Sequence, residues 1–108
     1  MIHITIYKTP DDHYKGIRVL GHADSVEEGA DLVCCSVSVL TINLLNSLEQ
    51  LTDDGYHGSE DEETGLIELA FDDIPSDRAD LLMRSYDLGI HSIASEYGTW
   101  LNVMTKEV

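Results

Sequence analysis

The chain has 108 residues, enough for one hydrophobic core and too few for two, so a single domain spanning residues 1–108 is expected. Hydrophobic residues make up 43% of it, which supplies that core and excludes a disordered tail. A net charge of -15 repels phosphates and anionic lipid heads; it argues against direct nucleic-acid or membrane-surface binding and is compatible with a cationic partner.

The chain opens with Ile2, Ile4 and Ile6 alternating with His3, Thr5 and Tyr7, the period-two pattern of a strand with one buried face. Pro10, Asp11 and Asp12 form a turn, and a second strand from about Tyr14 to Leu20, ended by Gly21, completes a hairpin. The period then changes. Val33, Val37, Leu40, Leu44, Leu48 and Leu51 fall three and four apart, so Asp31 to Leu51 reads as the main buried helix. Leu32, Cys34, Cys35 and Val39 lie off that stripe, so this helix is expected to be covered on more than one side. Gly29 gives a flexible approach, Asp31 is the expected cap, and Cys34 then falls in the first turn.

Asp53, Asp54 and Gly55 stop the helix. Strands follow around Tyr56 to Ser59 and Leu66 to Phe71, joined by the acidic Glu60 to Thr64 stretch, which is read as a solvated loop. Ser76 caps a second helix that carries Leu82, Tyr86, Ile90, Ile93 and Ala94 to about Glu96, and Trp100 to Thr105 reads as a last strand. The order is ββαββαβ, an α+β domain with two helices on a largely antiparallel sheet.

The two cysteines, Cys34 and Cys35, are adjacent, a spacing that disfavours a disulfide between them, so both are expected to be free. The N-terminal segment does not resemble a secretory h-region, and no apolar run is expected to approach the length needed to span a bilayer. A cytoplasmic location follows from these readings.

A cysteine peptidase needs a thiolate, an imidazole that takes the thiol proton and returns it to the leaving amine, and donors for the oxyanion. His22 follows a strand end and Cys34 opens the next helix, an arrangement that can bring ring and sulfur side by side. The N–H groups at the start of the helix favour an anion there and are candidate oxyanion donors. As residue types alone, the pair reads more readily as a core thiol and a loop histidine.

The literal strings carry more: Gly21-His22-Ala23, then Gly29-Ala30-Asp31-Leu32-Val33-Cys34, then Ser36-Val37-Ser38. Together they resemble the signature of the ribosomal-processing cysteine protease family Prp, a GHA tripeptide before a G-x-D-hydrophobic-V-C-A-x-V-S segment. Cys35 stands where the family shows Ala, and the register to Asp31 and Ser38 selects Cys34 as the nucleophile. The resemblance implies a His22 and Cys34 dyad, and removal of the N-terminal extension of a large-subunit ribosomal protein. It also implies a small, cytoplasmic, metal-independent homodimer without a cofactor.

Four neighbours are possible supports of the site. Asp31 could orient the dyad as well as cap the helix, and Ser38 lies one turn beyond Cys34. Gly21 and Gly29 let the backbone bend and the substrate approach. The histidines His3, His13, His22, His57 and His91 lack the paired spacing of a zinc site, and the Glu60 to Glu63 run lacks the ligand pattern of a calcium loop, so no metal is expected. Two other readings stand beside proteolysis: a non-catalytic acidic module that binds a ribosomal protein or assembly factor, and redox sensing by Cys34 and Cys35.

Overall fold

In the computed structural model, which describes residues 1–21 and 29–108, Ile2, Ile4 and Ile6 are buried and His3 is exposed, so the opening alternation becomes strand β1 (Ile2–Lys8). It pairs antiparallel with β2 (Tyr14–Leu20) in the register His3 to Leu20 and Ile6 to Ile17, the expected hairpin. Helix α1 (Ala30–Leu51) follows, then β3 (Tyr56–Asp61), β4 (Leu66–Phe71), helix α2 (Asp77–Tyr97) and β5 (Leu101–Glu107). The strands form one sheet in the order β3-β4-β2-β1-β5. Three of its four pairings are antiparallel, and β5 lies parallel to β1 because the chain returns to the sheet through α2. The sheet is therefore mixed.

Alternation decides where the core sits. Ile2, Ile4, Ile6, Ile17, Val19, Leu69, Phe71 and Leu101 are buried on one face, against Val33, Val37, Leu44 and Leu48 of α1 and Ala79, Met83, Tyr86 and Ile90 of α2. Each fully buried Ile, Leu or Phe stabilises the fold by about 1.5–3 kcal/mol relative to exposure. On the opposite face Arg18 and Glu68 sit directly across from each other and pair at 3.1 Å, as suits a solvated surface.

Several expectations are corrected. Leu51 is 58% exposed, whereas Thr41, a polar residue outside the apolar stripe, is completely buried. Leu32 and Val39 are exposed, so α1 is covered by the sheet and α2 and left open on its outer side. The first two residues of the acidic stretch, Glu60 and Asp61, extend β3, because backbone pairing to Ile67 and Leu66 continues past the point where the side chains become charged. Helix α1 is also long and apolar enough, by length and composition, to cross a membrane, contrary to the expectation of no such run. Its Ser, Thr and Asn residues disguise how few charges it carries: Asp31 is the sole one before Glu49.

Candidate active site

Helix α1 starts at Ala30 with Gly29 as its N-cap, and Val33 N–H already donates to the Gly29 carbonyl at 3.0 Å. Asp31 therefore does not cap the helix; it lies exposed inside the first turn, where its charge complements the N-terminal end of the helix dipole. Cys34 correspondingly falls at the start of the second turn rather than in the first. Helical side chains lean toward the N-terminus, so its sulfur inclines toward the turn whose N–H groups lack partners within the helix.

Two glycines hold the chain on either side of residues 22–28. Gly21 has φ +95° and donates to the Thr64 carbonyl at 3.2 Å; a Cβ there would stand 2.6 Å from the Met1 carbonyl oxygen. Gly29 has φ +101°, and its α-carbon faces the Trp100 ring so closely that a Cβ would meet it at 3.3 Å. Both conformations suit glycine for a physical reason, positive φ. The Trp100 carbonyl also accepts the Ile2 N–H at 2.9 Å, so one residue ties the start of α1 to the start of β1.

Cys34 is half-buried in the wall of a cleft of about 210 Å³, and Cys35, on the outer side of the helix, is exposed. Both thiols are free. Gly21 and Ser38 line the same cleft, so three of the singled-out positions, Gly21, Cys34 and Ser38, converge. Gly29 and Asp31 lie nearby in sequence but do not line it. His22 lies outside the described residues; the residue bonded to it, Gly21, is in the cleft wall with Cys34. His57 is paired with Asp72, and His91 with Asp87 at 2.8 Å, both away from this cleft. Ser36, which does not line the cleft, donates its hydroxyl back to the Leu32 carbonyl at 2.7 Å.

Apart from Val37, the rest of the cleft carries no motif in the sequence. Val37, Thr41 and Ile42 continue its helical wall, Leu66 and Ile67 of β4 face them, and Glu60, Asp61 and Glu62 form an acidic rim. The acidic run looks like a solvated turn in one dimension; only the β3–β4 register folds it back beside α1. Among the described residues no three metal-ligating side chains converge. A broader hollow of about 1110 Å³ lies at the other end of α1, between Gln50 and Asp77, away from both thiols. The cleft thus offers a thiol, apolar walls and a negative rim, a combination suited to attack on a carbonyl carbon of a bound chain.

A family model described as Cysteine protease Prp matches residues 1–102. The chain is 29% identical over 96 residues to the ribosomal processing cysteine protease Prp of two Staphylococcus aureus strains, Mu50 and NCTC 8325, covering 87% of this chain and 91% of each relative. The crystal structure of the S. aureus essential ribosomal processing protease Prp with a substrate peptide has the same fold, with a TM-score of 0.91 at 24% identity, over 98% of this chain and all of that one. SMU.848 from Streptococcus mutans superposes with a TM-score of 0.88 at 28% identity, over all of this chain and 96% of that one. Spanning residues 1–102, nearly the whole length, the match shows that the chain belongs to the cysteine protease Prp family.

Proposed function

We propose that this protein is a cysteine endopeptidase that removes the N-terminal extension of a large-subunit ribosomal protein during ribosome maturation, with Cys34 as nucleophile and His22 as general base. The observation that carries the assignment is the placement of the two thiols: Cys34 lines the cleft and Cys35 faces outward. In this reading the His22 imidazole takes the Cys34 proton as the sulfur attacks the scissile carbonyl. The ring then returns the proton to the leaving amine, and water, deprotonated by the same ring, releases the thioester. Gly21 and Gly29 hold the two ends of the segment that carries His22, Ser38 borders the attacking sulfur, and Asp31 supports the helix start.

The name of the S. aureus relatives supports the ribosomal substrate, and the net charge of -15 suits the basic N-terminal peptide of a ribosomal protein. The same charge disfavours direct nucleic-acid contact. We place the protein in the cytoplasm, where such a substrate is made, and infer a homodimer from the apolar outer side of α1.

Incubating the purified protein with ribosomal proteins of its own source and reading new N-termini by mass spectrometry tests the substrate. Cys34→Ala and His22→Ala are each expected to abolish cleavage with the fold retained, and Cys35→Ala to keep it. Cleavage by Cys34→Ala would overturn the assignment; binding of the ribosomal protein with no cleavage by the wild type would favour a non-catalytic module.

A further inference from the structure

The Cys34 cleft does not end at its own walls. A second hollow of about 230 Å³, between α1 and the β3–β4 hairpin, shares Glu60 and Ile67 with it, so the two form one trough. A single stripe of α1 runs the length of that trough: Cys34, Ser38, Thr41, Leu45 and Glu49, at steps of four, three, four and four. At a rise of about 1.5 Å per residue, the stripe from Cys34 to Glu49 is about 22 Å long. An extended chain covers that distance in about seven residues.

Opposite the stripe stands β3, at the end of the strand order and hydrogen-bonded within the sheet to β4 alone. Its outer edge can pair with an extended chain. Tyr56, Gly58 and Glu60 lie across from Phe71, Leu69 and Ile67, the residues on the helix-covered face, so these three belong to the trough side of β3. At Gly58 a chain meets backbone and no side chain.

The charged residues of the second hollow are Glu49, Glu60 and Glu68. Glu68 is engaged by Arg18 at 3.1 Å, whereas Glu49 and Glu60 make no ion pair among the described residues. Glu49 on α1 and Glu60 on β3 both line this hollow, and two carboxylates without an ion pair suit a cationic side chain and repel a second copy of this acidic chain.

Building on the assignment of Cys34 as nucleophile, we propose that this trough is the bed for about seven residues of substrate on one side of the scissile bond, in extended form, and that Glu49 and Glu60 select a Lys or Arg side chain within it. Nearest the thiol the exposed and half-buried walls of this bed are the apolar side chains of Ile42 and Leu66.

The test uses a synthetic peptide centred on the bond identified by mass spectrometry, with about seven residues on either side to match the trough, and a matched peptide with every Lys and Arg replaced by Glu. Against Glu49→Lys and Glu60→Lys, both exposed and tolerant of change, KM for the cationic peptide should rise roughly fivefold to tenfold with kcat within about twofold. KM for the acidic peptide should fall in the same variants. Trimming one arm of the peptide should weaken its binding to Cys34→Ala, followed by fluorescence anisotropy, and trimming the other should not. Unchanged KM for both peptides, with cleavage still abolished by Cys34→Ala, would remove the trough from the substrate path and leave the nucleophile assigned. Cleavage retained by Cys34→Ala would instead remove the assignment on which the proposal rests.

Discussion

The Thr41 hydroxyl and the Tyr86 phenol share a hydrogen bond of 2.9 Å in the seam between α1 and α2, with both side chains buried. Thr41 also lines the Cys34 cleft, two helical turns beyond the sulfur, so this bond fixes the cleft wall against the second helix. Thr41→Val strands a buried phenol and should destabilise the fold by about 1–3 kcal/mol. Tyr86→Phe should do less, about 0.5–1.5 kcal/mol, because the remaining threonine hydroxyl can bond back to its own helix. The double variant should be more stable than the sum of the two predicts, since no buried donor is left over. Urea unfolding of the four proteins measures the coupling; strict additivity would show that the bond contributes nothing.

Alkaline pH acts on the same residue. Burial pushes the Tyr86 phenol from 10.0 up to about 12, the Thr41 hydrogen bond opposing the shift without cancelling it. Burial raises Tyr14 further still, helped by its hydrogen bond to Asp87 at 2.8 Å. A phenol whose folded-state value is raised contributes stability that is fully present below its unfolded value and lost as pH climbs through the folded one. Unfolding free energy should therefore decline between pH 10 and about 12. Tyr14→Phe/Tyr86→Phe should flatten that decline in urea titrations, and superimposable slopes for variant and wild type would exclude the linkage.

At the acid end the sensitive group is Asp54. Its carboxylate accepts from the Ser76 hydroxyl and from the Ser76 N–H, at 2.8 Å for the latter, while Ser76 caps α2 by accepting from Ala79 N–H at 3.2 Å. The Ser76 hydroxyl is the main cause that holds Asp54 below its ordinary 3.8. A depressed carboxyl stabilises the fold above its unfolded value, and the stability drains as pH falls through the folded value. Asp54→Asn should lessen the loss of stability below pH 3.8, and Ser76→Ala should destabilise by about 1 kcal/mol at neutral pH through the lost cap. Thermal melts of both variants from neutral to acid pH check the two effects separately.

Ser76 illustrates what is legible in one dimension, because a cap depends on residues a few positions apart, and the same holds for the alternation of β1 and the stripe of α1. Cys34 stands out in one dimension through its string of neighbours, and in three dimensions it lines the cleft while Cys35 does not. The parallel β1–β5 pairing was not legible, since it joins the two ends of the chain. Nor was the placement of Glu60 and Asp61: their charge says solvent, and only the hairpin register brings them into the wall of the cleft that Cys34 lines. Asp31 has a side chain able to cap, which says nothing of its position; Gly29, with its positive φ and the Trp100 ring above it, starts the helix two residues earlier.

The outer side of α1 carries the last prediction. Leu32, Cys35 and Val39 fall at steps of three and four, all exposed, with Val39 at 61%. This is the spacing of a helix seam, and between Asp31 and Glu49 the helix has no charge to keep two copies of a strongly acidic chain apart. A two-fold axis crossing the stripe would pair it with itself, which makes it the expected homodimer contact. Sedimentation equilibrium should give the wild type twice the 12.0 kDa of one chain. Val39→Asp, placed at an exposed position where folding tolerates it, should give one chain per particle with an unchanged circular dichroism spectrum. A wild type that sediments as a single chain at micromolar concentration, or a Val39→Asp variant that remains paired, would rule out this seam.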